Sequence, residues 1–470
     1  MATKGTNGTY DAIVIGAGPA GASCAHTLAK QGHTVLVLER AQFPRFHIGE
    51  SLIPYLAGLW EKMGVLHRMQ GEPTFLLKEG VEVKDENSPE ARFDFKLLSE
   101  GVKKFSFNVE RARLDQVLTE EASKAGAQVK EQAEVTKLLF DGERMSGVVY
   151  EHQGESHEAH ARWVVDASGR AGVVSRHYGL RRMNQRLRNI AFFNHYHDCA
   201  WEKNASGIGY QVLAMHKDGW VWCIPVGPRA LSIGTVMPAA LAKSAGPREL
   251  FDEHLGRVPL VNQCLTGAKP EFDTLKVESD FCYHSNQLAG PGWLLVGDAG
   301  CFVDPLFSGG VYLGSVTGYM AANSVHKMMG GADEKKVCTD YGNFVKTGYD
   351  SYFRLVYGFY EKGSIPELFK SFRVQYPYCL QFLSGNFWGQ KNDPLLSLLR
   401  SKAKWNTFEE PFEYVDQCPI YPDTYYRAGE DVRAATPPQF RPPALLWWLL
   451  TTVERGKNVA RNIGRLFHAS

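Results

Sequence analysis

Five stretches of this chain combine residue types and spacings that suit chemistry. The first, Gly16-Ala17-Gly18-Pro19-Ala20-Gly21, follows the apolar run Asp11 to Ile15 and opens the periodic stretch ASCAHTLAKQG. Glycines there permit a tight turn and close backbone approach to a pyrophosphate, whose charge the first N–H groups of the following helix would meet. A second apolar run, Thr34 to Leu38, ends on Glu39. That carboxylate can accept from a ribose hydroxyl and disfavours a 2′-phosphate, so strand, turn, helix and acid together predict a dinucleotide site. Next, Asp298 stands after the run Trp293 to Val296 and Gly297, before a second helix start. Lys78 is isolated within FLLKEG (75–80), and Trp220, Trp222, Ile224 and Pro225 spell WVWCIP. Last, FVDPLFSGG (302–310) puts Ser308, Gly309 and Gly310 at a helix start, where backbone N–H groups suit a small anion.

Several elements must position these residues. The glycine turn and its two strands form a βαβ unit of about thirty residues. RARLDQVLTEEASKAG (111–126) is amphipathic and ends at a glycine, 128–140 and 146–150 alternate as strands, and Arg162 to Val165 leads into Asp166. From Asn189 to Met237 aromatic residues alternate as in antiparallel strands with one buried face. SGGVYLGSVTGYMAANSVHKMM reads as a long helix rich in small residues, and the chain from Cys338 onward reads as helical, broken by QCPIYPD and TPPQFRPP. The expected fold class is α/β. A three-layer Rossmann-like domain spans 1–330, interrupted by an antiparallel substrate sheet at about 75–105 and 185–285, and a helical region, 331–470, covers the cleft. The tail PALLWWLLTTVERGKNVARNIGRLFHAS joins an apolar face to basic residues and is expected to pack over that cleft.

With 470 residues, 44% apolar, 22% charged and 12% aromatic, the chain is no disordered polymer. Its 52 basic and 51 acidic side chains leave a net charge of +1, which excludes a global field drawing it to nucleic acid or anionic membrane. Nine cysteines without a CxxC suggest neither a disulfide framework nor a zinc site, and no metal is expected. MATKGTNGTYD lacks the apolar core of a signal peptide. The run Ala444 to Leu450 is far short of the roughly 20 residues that span a bilayer, so a cytoplasmic protein without a transmembrane segment is expected.

The glycine turn, Gly297-Asp298 and the Arg111-x-x-Leu114-Asp115 pattern resemble the glutathione-reductase-type flavoproteins. WxWxIP, FxxPxxSxG and the isolated lysine narrow the resemblance to the flavin-dependent halogenases. It implies FAD contacts from Gly16, Gly18, Ala20, Gly21, Glu39, Arg40, Arg111, Val135, Asp298, Pro305, Gly310 and Val311. The segment FPRFHIGES (43–51), with His47, Ile48, Gly49 and Ser51, looks like the loop that covers the flavin. With only one dinucleotide fingerprint, FAD is expected to arrive reduced from a separate NAD(P)H-dependent reductase. Chloride or bromide would sit at Ser308, Gly309 and Gly310, and the hypohalous acid formed there would travel through a closed tunnel to Lys78. Tryptophan halogenases carry a glutamate immediately before the serine of this motif; here the residue is Phe307. The implied substrate is therefore a phenol or pyrrole, free or on an acyl or peptidyl carrier protein, with Lys78, Phe307 and Ser308 at the reacting centre and Asp304 a lesser candidate for a charge partner. Secondary-metabolite biosynthesis is the family's usual setting. His195, His197 and His284 are expected to be structural. An FAD-dependent aromatic monooxygenase, for which Lys78 would be dispensable, and a non-catalytic flavin-binding partner protein are the alternatives.

Overall fold

A computed structural model of the chain describes residues 9–85, 88–201, 209–362, 376–389 and 393–421. Strand Thr9–Ile15 is apolar over its last four residues, all buried, because the sheet is covered on both faces there. It lies parallel between Val35–Leu38 and Glu155–Asp166, with Ile15 opposite both Leu38 and Asp166. Gln128–Lys130 and Trp293–Leu295 extend the sheet on either side, also parallel. The carboxyl ends of these strands therefore share one edge, the place where open parallel sheets bind ligands. Gly16, Glu39, Asp166 and Gly297-Asp298 all lie along it.

Helix Pro19–Lys30 follows the glycine turn and packs against helix Gly310–Met329. The approach is close because Gly318 presents no side chain: a Cβ there would lie 2.1 Å from the Ala20 carbonyl oxygen. Residues 128–140, read as strand from alternation, divide between two partners. Gln128–Lys130 joins the parallel sheet, and Ala133–Asp141 turns away to pair antiparallel with Arg144–His152. Gln132, in the left-handed region at φ 53°, makes the break, which periodicity alone cannot register.

The second sheet runs in the order Lys269–Pro270, Asn189–His197, Ala230–Pro238, Gly219–Gly227, Tyr210–His216, Gly80–Asp85, Ser88–Asp94. All of its pairs are antiparallel except Tyr210–His216 with Gly80–Asp85. Both faces are buried, where the sequence predicts one. Phe193, Trp220 and Trp222 join the main core, while Phe192, Val221, Cys223 and Ile233 form a second core under helices Pro247–Gly256 and Pro259–Leu265. The alternation along each strand divides its side chains between two cores.

Helix Glu334–Lys362 packs across helix Gly310–Met329 and brings Tyr352 and Tyr360 to the 304–309 turn. The basic-apolar tail lies outside the described residues. Among the described residues no helix is long and apolar enough to cross a membrane, no group of three or more histidine, cysteine or carboxylate side chains is poised for a metal, and the nine cysteines are free thiols.

Candidate active site and cofactor groove

Lys78 ends the short strand Leu76–Lys78, which pairs antiparallel with Ser106–Asn108. Its side chain is fully buried. The amine Nζ donates to Ser51 Oγ at 2.7 Å and to the Leu52 carbonyl at 2.9 Å, and stands 5.5 Å from the centroid of the Phe95 ring. Burial disfavours the ammonium and brings Lys78 down to about 7, so the neutral amine is within reach at ordinary pH.

The amine shares a cavity with Phe307 and Ser308, walled by Val81, Val83, Phe93 and Leu213. Its volume, about 30 Å³, holds roughly two waters and is far below the roughly 150 Å³ of a cavity that admits benzene. A molecule of three atoms fits; an aromatic ring needs the walls to open. Gln211 also lines this space, buried, and its Oε1 has no hydrogen-bond partner among the described residues.

Phe307 and Ser308 are successive left-handed residues, φ 64° and 59°, a conformation that costs a non-glycine residue roughly 1–2 kcal/mol. Several braces hold it. The Asp304 carboxylate accepts the Leu306 N–H at 2.9 Å and Asn189 Nδ2–H at 3.1 Å, and lies 3.2 Å from the Tyr360 hydroxyl. That hydroxyl accepts the Trp220 indole N–H at 2.8 Å, which ties the WVWCIP strand to the turn. Tyr352 Oη reaches the Asp304 and Leu306 carbonyls and accepts the Gly309 N–H at 3.3 Å. Burial lifts the Asp304 carboxyl to about 6. Asp304 thus spends its oxygens on bracing the turn. Helix Gly310–Met329 then starts at Gly309 with no capping side chain, leaving first-turn N–H groups that the helix cannot satisfy itself.

The groove along the sheet edge fits a dinucleotide. A Cβ on Gly16 (φ +98°) would lie 2.5 Å from the Ala167 oxygen, and one on Gly21 would lie 1.9 Å from the Gly16 oxygen, so the turn packs backbone on backbone. Helix Pro19–Lys30 starts at Gly18 without a capping side chain, and Ala20 lies in its first turn with open N–H groups. Glu39 accepts the Ala17 N–H at 2.8 Å and the Ala41 N–H at 3.0 Å, which fixes its carboxylate beside the turn; Arg40 is exposed. Val135 follows Ala133, whose N–H bonds the Glu39 carbonyl at 2.9 Å. Asp298 is raised to about 6 by burial, opposed by Arg111, Arg170 and Arg181.

The 43–51 segment lies over helix Arg111–Lys124. Arg111 pairs with Asp115 through two bonds of 2.8 and 3.0 Å and gives a third, 2.7 Å, to the Ile48 carbonyl; Arg45 reaches Asp115 at 3.0 Å. His47 is exposed, with Nδ1 2.8 Å from the Ile48 oxygen. Gly49 (φ +105°) faces Val311, 3.8 Å from where its Cβ would be. The structure therefore brings Lys78, Ser51, Phe307 and Ser308 together, and sets Gly49 and Ile48 against Arg111 and Val311, with Pro305 and Gly310 in the adjoining turn. His284 stands apart, packed on Phe408 and Tyr349. Sequence reasoning missed Tyr352 and Tyr360, which no local pattern marks. It also missed Glu50, whose carboxylate meets His195 although it stands inside the segment singled out.

Comparison with known proteins bears on the family and the fold. Residues 9–314 match a family model described as "FAD binding domain". A tryptophan 2-halogenase of Chondromyces crocatus is 32% identical over 76% of this chain and 69% of its own length. A 1H-pyrrole-2-carbonyl-[peptidyl-carrier protein] brominase of Pseudoalteromonas luteoviolacea is 28% identical over 70% and 80%. Among solved structures, the flavin-dependent brominase Bmp2 superposes with a TM-score of 0.74 at 26% identity, covering 84% of this chain and 98% of its own. The myxobacterial chondrochloren halogenase CndH gives 0.70 at 27%, covering 83% and 99%. A glycine cradle for a dinucleotide, a buried lysine beside a strained serine turn and relatives of this kind converge on one conclusion: the chain belongs to the flavin-dependent halogenases, FAD-binding oxidoreductases.

Proposed function

We propose that this enzyme halogenates an electron-rich aromatic ring, a phenol or a pyrrole, with Lys78 carrying the oxidised halogen. The observation behind this reading is the Lys78 amine, buried and brought down to about 7, in one apolar cavity with Phe307 and Ser308. The glycine turn, Glu39 and Asp298, under the 43–51 segment, would hold FAD, which in its reduced form would supply the electrons that let oxygen oxidise chloride or bromide to hypohalous acid. A separate NAD(P)H-dependent reductase provides it in that form.

The halide sits among Ser308, Gly309 and Gly310 at the uncapped helix start, where the Gly310 backbone N–H is its donor, since the Ser308 and Gly309 N–H groups meet the Pro305 carbonyl and the Tyr352 hydroxyl. Hypohalous acid suits the 30 Å³ cavity, whose apolar walls offer little else to oxidise or to bind it. There Lys78 either donates an N–H to it or, as the neutral amine, takes the halogen: an N–halogen bond forms, the halogen–oxygen bond breaks and water leaves. The unpartnered Gln211 Oε1 supplies an acceptor for the O–H. Phe307 leaves the ring without a carboxylate to support a cationic intermediate, which favours a ring whose own heteroatom does so. The names of relatives span tryptophan and a carrier-bound pyrrole, and Phe307 tips the reading to the latter class, free or tethered.

Lys78→Ala tests the assignment. The variant is expected to bind FAD and consume oxygen like the wild type while halogenated product falls by roughly a hundredfold or more. Product near the wild-type level would overturn the role of Lys78 and favour the monooxygenase reading.

A further inference from the structure

The reaction just described leaves unused a string of titratable side chains between the 43–51 segment and the second sheet. Glu50, 1% exposed, presents Oε1 to Nε2 of His195, which is 6% exposed on strand Asn189–His197. His195 Nδ1 lies 2.9 Å from Glu271 Oε2, which in turn stands 3.4 Å from His197 Nε2. A neutral imidazole has one N–H and serves one carboxylate; only the imidazolium donates to both. Against burial, Glu50 and Glu271 accordingly raise His195 above the usual histidine range. Glu110, beside the start of helix Arg111–Lys124, adds a third carboxyl to this neighbourhood, its own value raised by burial, Glu271 and Glu50, and lowered by the two histidines. The cation nearest the aromatic side is Lys276, over the Phe46 and Phe272 rings.

The imidazole is also a seat for Phe46, whose ring meets it edge-on with centroids 5.4 Å apart and packs on Phe193 and Phe272. Phe46 and Glu50 thus clasp His195 from two points of one segment. Glu50 Oε2 is buried with no partner among the described residues, so loss of the imidazolium would strand the carboxylate without a charge-matched donor. The next residue, Ser51, accepts the Lys78 amine.

We propose that His195, as the imidazolium, is a positioning residue that latches the 43–51 segment onto the second sheet, and so couples FAD retention and the setting of Ser51 against Lys78 to pH. The proposal rests on the reading that this segment covers the flavin. The sign follows from the raised value of His195: the latch is complete at low pH and opens as pH rises through that value.

FAD titration by fluorescence quenching, from about pH 6 to about pH 9, tests it without turnover. Wild-type affinity is expected to fall about tenfold with rising pH. Glu271→Gln, at a half-exposed position that folding tolerates, should move the midpoint to lower pH. His195→Gln should bind FAD weakly and without that pH dependence. The titration reads FAD binding without turnover, so failure of the latch shows there while failure of the Lys78 carrier assignment shows only in halogenated product. A flat wild-type profile, an unmoved midpoint in Glu271→Gln, or a wild-type fall in His195→Gln would overturn the proposal.

Discussion

At the scale of single residues, the protonation of Lys78 carries the consequence easiest to measure. Its folded value of about 7, lowered by burial from 10.5, means that the folded chain binds fewer protons than the unfolded chain between those values. Stability therefore rises with pH across that window, and the part owed to the neutral amine is lost as pH falls toward about 7. Halogenation per bound FAD should rise with pH through about 7 as the neutral amine appears, before opening of the His195 latch brings it down. A pH–product profile at saturating FAD checks this; a flat rising limb would show that the amine does not act in its neutral form. The motif FLLKEG was enough to single out Lys78, but its burial was not legible. Nothing in six residues says that Ser51, 27 positions earlier, accepts a hydrogen bond from its amine. The Glu50–His195 pairing spans 145 positions and was invisible for the same reason.

At the scale of elements, the turn 304–310 depends on a helix that follows it. Tyr352→Phe removes the hydroxyl that accepts the Gly309 N–H and reaches the Leu306 carbonyl, stranding buried backbone groups beside two left-handed residues. The expected cost is about 1–3 kcal/mol in chemical denaturation, with a loss of halogenated product at unchanged FAD affinity. Gly310→Val acts on the other side of the turn. A Cβ there already lies 2.9 Å from the Phe302 ring, so the branched side chain must displace either the ring or the turn. The halide concentration needed for half-maximal product is expected to rise about tenfold while FAD affinity holds; loss of FAD alone would argue against a halide role. Elements fixed by local chemistry were legible: the glycine turn, the strands flanking it and helix Gly310–Met329. The break at Gln132 and the two-faced burial of Asn189–Met237 were not, because both depend on which distant strand or helix supplies the partner.

At the scale of the whole molecule, one parallel sheet edge presents the dinucleotide groove while the second sheet supports Lys78 from the other direction. The 43–51 segment touches both, through Arg111 and Asp115 on one side and His195 on the other. This arrangement explains why the α/β class and the halogenase resemblance could be read from sequence, since the glycine turn, Gly297-Asp298, the Arg111 pattern and FVDPLFSGG sit at strand ends or helix starts whose geometry their own residues dictate, while WVWCIP runs along strand Gly219–Gly227. Cavity size could not be read: it results from side chains of six separate stretches, from Ile53 to Leu383, closing to about 30 Å³. The most direct test of the central claim is mass spectrometry of products formed with FAD, a separate flavin reductase, NADH, oxygen and bromide, on phenols and pyrroles both free and carrier-bound, beside a halide-free control. The account expects a bromine isotope pattern that vanishes without bromide; a gain of one oxygen regardless of halide would contradict it.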